Sequence, residues 1–154
     1  MTGFVIQSDD LTSADVLGLL QYHLDEMHQW SPACKVHSLP PERLRQEDVT
    51  FFAVRDGERL AGVGALKHLD EKRGELKSMR AAPDYRGKGI GKLLVRHFIH
   101  IAKDRGYTWL GLETGRTEQF KPAIQLYKAH GFSECGAFAD YTSDEFSLCM
   151  ERYL

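Results

Sequence analysis

Short apolar runs in a period-two register alternate with stripes of helical spacing along the chain, and polar turns separate them. Residues 4–7, Phe-Val-Ile-Gln, predict a first strand. Thr12 or Ser13 can cap a helix running from about residue 14 to 28. Residues 30–41 read as a polar loop punctuated by proline, followed by a short helical turn around 42–46. The runs 50–54 and 60–66 flank Arg55-Asp56-Gly57-Glu58, whose Asp-Gly step predicts a hairpin. A turn over 70–74 leads to a further strand over 75–80, on which alternation sets Glu75, Lys77 and Met79 on one face. A glycine-rich turn and a long helix over 93–105 follow, then a strand over 109–113. Next comes a helix ending near His130 with Gly131 as its C′ residue, and then closing strands around 133–138 and 146–152. No repeat, low-complexity tract or linker interrupts this order, so residues 1–154 are expected to form a single domain. Antiparallel strands first, then strands alternating with helices, predict an α+β fold of three layers around a mixed, mostly antiparallel central sheet.

Composition narrows the function classes. A chain of 154 residues can bury a sizeable core. Its net charge of −2 and pI near 6.4 supply no basic field for nucleic acid or a membrane surface. No apolar run approaches the ~20 residues of a spanning helix, and the first residues lack the basic and apolar regions of a signal peptide. The three cysteines, Cys34, Cys135 and Cys149, are an odd and sparse set, expected to be reduced thiols in a cytoplasmic protein.

The candidate chemistry is concentrated in Arg86-Gly87-Lys88-Gly89-Ile90-Gly91-Lys92, between the strand over 75–80 and the helix over 93–105. Three glycines at alternate positions leave backbone N–H groups uncovered at a helix N-terminus, where the macrodipole favours an anion. Arg86, Lys88 and Lys92 add cations, so a pyrophosphate is the expected ligand. A P-loop needs GxxxxGK and a hydroxyl residue; here Gly87 to Gly91 is one residue short and Leu93 follows Lys92. A dinucleotide turn needs GxGxxG, and here the third glycine comes one residue early. What fits is (Gln/Arg)-x-x-Gly-x-(Gly/Ala), as Arg86, Gly89 and Gly91. At the expected distance downstream, Ala123, Leu126, Tyr127, Gly131 and Phe132 match A-x-x-L-Y-x-x-x-G-F. With both motifs in this order, the chain resembles the GCN5-related N-acetyltransferase (GNAT) family. Residues 112–115 and 136–141 are further similar to a bacterial subgroup of uncharacterised members of that family.

The resemblance implies a fold whose strands splay at an acetyl-coenzyme A site, with the pyrophosphate on Arg86, Gly87, Lys88, Gly89, Gly91 and Lys92. It implies that Met79, Arg80 and Ala81 offer backbone groups to the pantetheine arm, with an N–H near Met79 as oxyanion donor. Tyr127 stands where the family places a general acid, since a phenol near pKa ~10 can protonate a thiolate near ~8.5 if the local field helps. It can equally be a tyrosine on the apolar stripe of its helix. Glu75, eleven residues before Arg86, stands where many members carry the general base. Glu113 is the competing carboxylate, and a water relay is open in either case. Where the family often has an asparagine for the cofactor, this chain has Phe120, which either packs beside the pantetheine arm or leaves a polar contact to the loop over 114–118. The acceptor pocket is expected from Trp30, His37, Asp140 and Tyr141, together with Glu113. Direct transfer from acetyl-CoA to the primary amine of a small molecule or peptide follows, without metal; a homodimer is open. A non-catalytic acyl-CoA-binding sensor or partner subunit is the alternative, although it would need neither Tyr127 nor Glu75. His97 and His100 lie one helical turn apart, but His97 falls within the apolar arc of Ile90, Leu94, Phe98 and Ile101, and no third ligand accompanies the pair. Cys135 lacks a His and Asn/Asp set and reads as a buried thiol.

Overall fold

The structure is a computed structural model that describes residues 3–31, 40–139, 141, 144 and 146–154. Seven strands form one sheet in the order β1-β2-β3-β4-β5-β7-β6, with β1 Phe4–Ser8, β2 Val49–Asp56, β3 Arg59–Asp70, β4 Arg73–Ala81, β5 Trp109–Gly115, β6 Ser133–Glu134 and β7 Ser147–Tyr153. Every neighbouring pair is antiparallel except β4 and β5. The long β2–β3 hairpin turns at Asp56-Gly57 as its sequence predicts. The closing strand β6 is shorter than its sequence suggests, two residues in place of six.

Each face of the sheet carries its own core. Consecutive residues of β2 point to opposite sides: Phe51 and Ala53 join Val63 and Ala65 beneath helix α1, while Phe52 and Val54 join Leu66 and Leu76 beneath helix α3. Helix α1 (Ala14–Trp30) buries Val16, Leu19, Leu20 and His23, one stripe at helical spacing, and the short α2 (Pro41–Leu44) adds Leu44 to the same side. Ser13 caps α1 by position but makes no side-chain cap bond; Asp15 in the first turn pairs instead with Arg55 of β2. On the other side, α3 (Ile90–Asp104) buries Leu94, Val95 and Phe98, and α4 (Lys121–Ala129) packs beside it. Phe98 is fully buried, and truncation of such a ring to alanine costs about 3–5 kcal/mol. His97 lies edge-on to Phe52 and Phe98, consistent with its place in the apolar arc.

Candidate active site

The site is built where the one parallel pairing fails. β4 and β5 are paired from Arg73↔Trp109 to Leu76↔Leu112, and beyond Leu76 the strands part. β4 stays paired to β3 but takes an extra residue, since Val63↔Arg80 and Ala65↔Lys77 set three steps of β4 against two of β3. Ser78 absorbs the difference at φ 54°, a left-handed conformation that a non-glycine residue rarely adopts. The bulge corrects the alternation expected from the sequence. Glu75, Lys77 and Arg80 share the α1 face. Met79 is moved to the α3 face, where a Cβ on Gly64 would lie 2.8 Å from the Phe98 ring and 3.0 Å from the Met79 sulfur. A cleft of about 670 Å³ opens between the parted strands, from the glycine turn at one end to Glu75, Glu113 and Tyr141 at the other.

At the first end, Gly87 and Gly89 take φ 74° and 85°, and Gly89 is the left-handed N-cap of α3. A Cβ on Gly89 would meet nothing within 4 Å, so the demand for glycine there is one of backbone conformation. The bond from Leu93 N–H to the Gly89 carbonyl opens the helix, which leaves the N–H groups of the first turn for a ligand. Residues 86–89 and Lys92 are exposed; Arg86, Gly87, Gly89 and Lys92 line the cleft mouth, with Arg86 paired to Glu26.

The other end is a buried polar network. Glu75 is 2% exposed and forms a 3.2 Å ion pair with Lys77. Lys77 also donates to the Tyr141 hydroxyl, which in turn donates to Glu75. Burial, and then Glu75, push the Tyr141 phenol far above its ordinary range, so it remains a donor. Across the parting, Glu113 lies on the same side of the sheet. Its carboxyl is pushed up to about 7, chiefly by burial and also by Glu75, against the opposing pull of Ser147 and Lys77. Two carboxyl groups thus face the cleft in different settings: Glu75 is paired with a lysine, and Glu113 is poised to exchange a proton near neutrality.

Tyr127 projects from α4 into the cleft wall, edge-on to Phe132 at 5.9 Å. Burial pushes its phenol up to about 12, so it stays protonated across the neutral range. Phe120 is buried against Gly115 and edge-on to Trp30 at 5.4 Å, closing the end of the cleft. Of the expected acceptor residues, Trp30, Glu113 and Tyr141 line the cleft, while His37 and Asp140 lie outside the described residues. Cys135 is half-buried rather than buried, and burial raises its thiol to about 11. Among the described residues, no group of three or more His, Cys, Asp or Glu is placed to hold a metal ion, and no helix is long and apolar enough to cross a membrane.

Two polar residues of the wall, Lys77 and His23, and one behind it, Glu26, are not singled out by motif. Lys77 is legible in the sequence as a same-face neighbour of Glu75 and as its candidate salt-bridge partner, and the two do pair. His23 and Glu26 come from α1; the signal for His23 is a polar residue at a stripe position shared with Val16, Leu19 and Leu20. Glu26 accepts from Arg86 at 3.0 Å and pairs with Arg80, whose side chain is 10% exposed.

Residues 17–132 match the profile of the acetyltransferase (GNAT) family. The chain is 49% identical over 151 residues to the uncharacterized N-acetyltransferase YedL of Escherichia coli (strain K12), covering 98% of this chain and 95% of that one. A solved structure from Klebsiella pneumoniae subsp. pneumoniae MGH 78578, provisionally named an acyl-CoA N-acyltransferase, superposes with a TM-score of 0.77 at 30% identity, over 98% of this chain and 97% of that chain. A GNAT family acetyltransferase from Elizabethkingia anophelis, solved with acetyl-CoA bound, shares the fold with a TM-score of 0.72 at 15% identity, over the full length of both chains. With most of its length inside the family profile and near-complete coverage of a relative at this identity, the chain belongs to the GNAT family of acetyltransferases.

Proposed function

We propose that the protein transfers an acetyl group from acetyl-CoA to a primary amine by direct attack of the amine on the thioester. The observation that carries this reading is the continuity of one cleft from the glycine turn to the Glu75–Glu113 pair, past the bulge at Ser78. The pyrophosphate would lie on the first-turn N–H groups of α3 with Arg86, Lys88 and Lys92, as an anion does at a helix N-terminus. The pantetheine arm would run between β4 and β5, where the β5-facing edge of residues 79–81 and the β4-facing edge of residues 113–115 are unpaired. The family relative solved with acetyl-CoA supports that choice of cofactor.

The proton inventory then assigns roles. An ammonium entering the cleft must lose a proton before it attacks. Glu113 takes it, directly or through one water, because its carboxyl exchanges protons near pH 7. Glu75, paired with Lys77 and accepting from the Tyr141 hydroxyl, sets the position of Tyr141 beside the amine. The N–H of Met79 lies just past the bulge, where it can bond the thioester oxygen as charge develops there. Tyr127, kept protonated by burial that also makes it the weaker acid, would hydrogen-bond the departing thiolate of coenzyme A.

Free thiol release from acetyl-CoA, followed over a panel of small primary amines and peptide amines, tests this reading. Amine-dependent release that collapses in Glu113→Gln is the expected result. Stabilisation by coenzyme A without thiol release on any amine would establish instead a cofactor-binding module. Against that outcome stand the buried carboxylates, whose desolvation a binder would incur for no return.

A further inference from the structure

The cleft carries a second polar cluster besides the one that serves the proton chemistry. The second lies where β4 meets α1. Arg80 sits between the rings of Tyr22 and Trp30, with its guanidinium carbon 5.1 Å and 5.7 Å from their centroids. Its Nε finds no hydrogen-bond partner among the described residues, although its side chain is only 10% exposed. Nδ1 of His23, a residue 9% exposed, is likewise without a partner. Both residues line the cleft. Buried polar atoms in native proteins are nearly always satisfied, so two such orphans on residues that line one cleft call for a ligand.

The sign of that ligand follows from the charges. The carboxylate of Glu26 is shared between Arg80 and Arg86, two guanidinium groups to one acid, which leaves positive charge in excess. His23 is kept neutral, since burial, and then Arg80, lower it to about 4. A neutral imidazole can carry its single hydrogen on Nδ1 and donate it. The Arg80 side chain lies on the α1 face and shares Glu26 with Arg86, while Lys88, Lys92 and the first-turn N–H groups of the glycine turn remain for the cofactor's phosphates.

We infer that the acceptor carries a carboxylate in addition to its reacting amine, and that Arg80 and His23 bind this carboxylate. The inference rests on the acetyltransferase reading and narrows its substrate to amino-acid-like amines: the ammonium goes to Glu113 and Glu75, the carboxylate to the Arg80 Nε–H and the His23 imidazole. A guanidinium held between two rings is fixed in orientation before the ligand arrives, which reduces the ordering cost of binding.

Matched acceptors test it on the wild-type protein. Lysine with cadaverine, phenylalanine with phenethylamine, tryptophan with tryptamine and 4-aminobutyrate with propylamine differ within each pair by the carboxylate. With acetyl-CoA saturating, at least one acid is expected to exceed its partner amine by about tenfold or more in kcat/KM, the discrimination due to one charge-assisted contact. Arg80→Met alone strands Glu26, so Arg80→Met/Glu26→Gln is used as well, with folding checked by circular dichroism. In both variants the acid-to-amine ratio should fall towards one, through KM rather than kcat. Amines turned over as well as or better than every matched acid would overturn the carboxylate site while leaving the acetyltransferase intact. A preference that survives in the folded double variant overturns it too, as does a panel in which no acid is either acetylated or stabilising in the presence of coenzyme A. Absence of any stabilisation by coenzyme A would remove the acetyltransferase reading itself.

Discussion

Glu75 and Lys77 lie two residues apart on one strand and form an ion pair that is almost wholly withdrawn from water, at 2% and 8% side-chain exposure. A pair this deep contributes little net stability, because desolvation offsets attraction, but removing one partner strands the other. Lys77→Met should therefore destabilise the fold by about 3 kcal/mol, lowering Tm by about 6–12 °C for a chain of this size. Lys77→Met/Glu75→Gln should recover most of that loss. Urea unfolding of the three proteins checks it, and a double variant no more stable than the single one contradicts the account.

Glu113 predicts opposite pH trends for stability and for activity. Its folded value near 7 lies above its ordinary 4.5, so between those limits the folded chain holds a proton that the unfolded chain has lost. Its contribution to stability is therefore intact below about pH 4.5 and declines as pH rises to 7. Glu113→Gln should be more stable than wild type by about 3 kcal/mol at pH 8, with the advantage vanishing towards pH 4.5. Activity runs the other way. Wild-type kcat/KM should rise with pH up to about 7, and the variant should lose that rise along with most of its turnover. Unfolding curves at two pH values and one pH–rate profile give both tests.

How far the sequence discloses this site depends on what sort of constraint each residue carries. The turn over 86–92 and the helix with Tyr127 are local: glycine conformation, charge and helical spacing are visible within ten residues, and both appear where they are expected. The hairpin at Asp56-Gly57 is legible for the same reason. The bulge at Ser78 is not, because serine carries no preference for a left-handed φ and the bulge is imposed by pairing with β3. That one extra residue places Met79 and Arg80 on opposite faces from those alternation gives them. Contacts between residues distant in sequence are equally hidden. Tyr141 reaches Glu75 across sixty-six residues, and His23 meets Arg80 only when α1 is laid on the sheet.

Tyr127→Phe separates a catalytic tyrosine from a merely packed one. The hydroxyl is deeply buried and stays protonated to about pH 12, so its removal leaves the ring's packing against Phe132 in place. If it donates to the departing thiolate, kcat should fall by about 10²–10⁴ with coenzyme A affinity near wild type. Equal losses in Tm and in coenzyme A affinity, with kcat preserved, would make Tyr127 a core residue and nothing more.

Gly89 allows the pyrophosphate site to be tested with a control built into the backbone. Any side chain there meets φ 85°, a strain of about 1–2 kcal/mol, but no steric neighbour within 4 Å. Gly89→Ala and Gly89→Glu should therefore lose similar stability in the absence of ligand. Only the glutamate also sets a negative charge at the helix N-terminus, where the phosphates would bind. Coenzyme A should raise the Tm of wild type by mass action, raise that of the alanine variant by a reduced amount, and leave the glutamate variant unmoved. Thermal melts at a series of coenzyme A concentrations measure all three. Equal shifts in the alanine and glutamate variants would mean that the phosphates lie elsewhere on the protein.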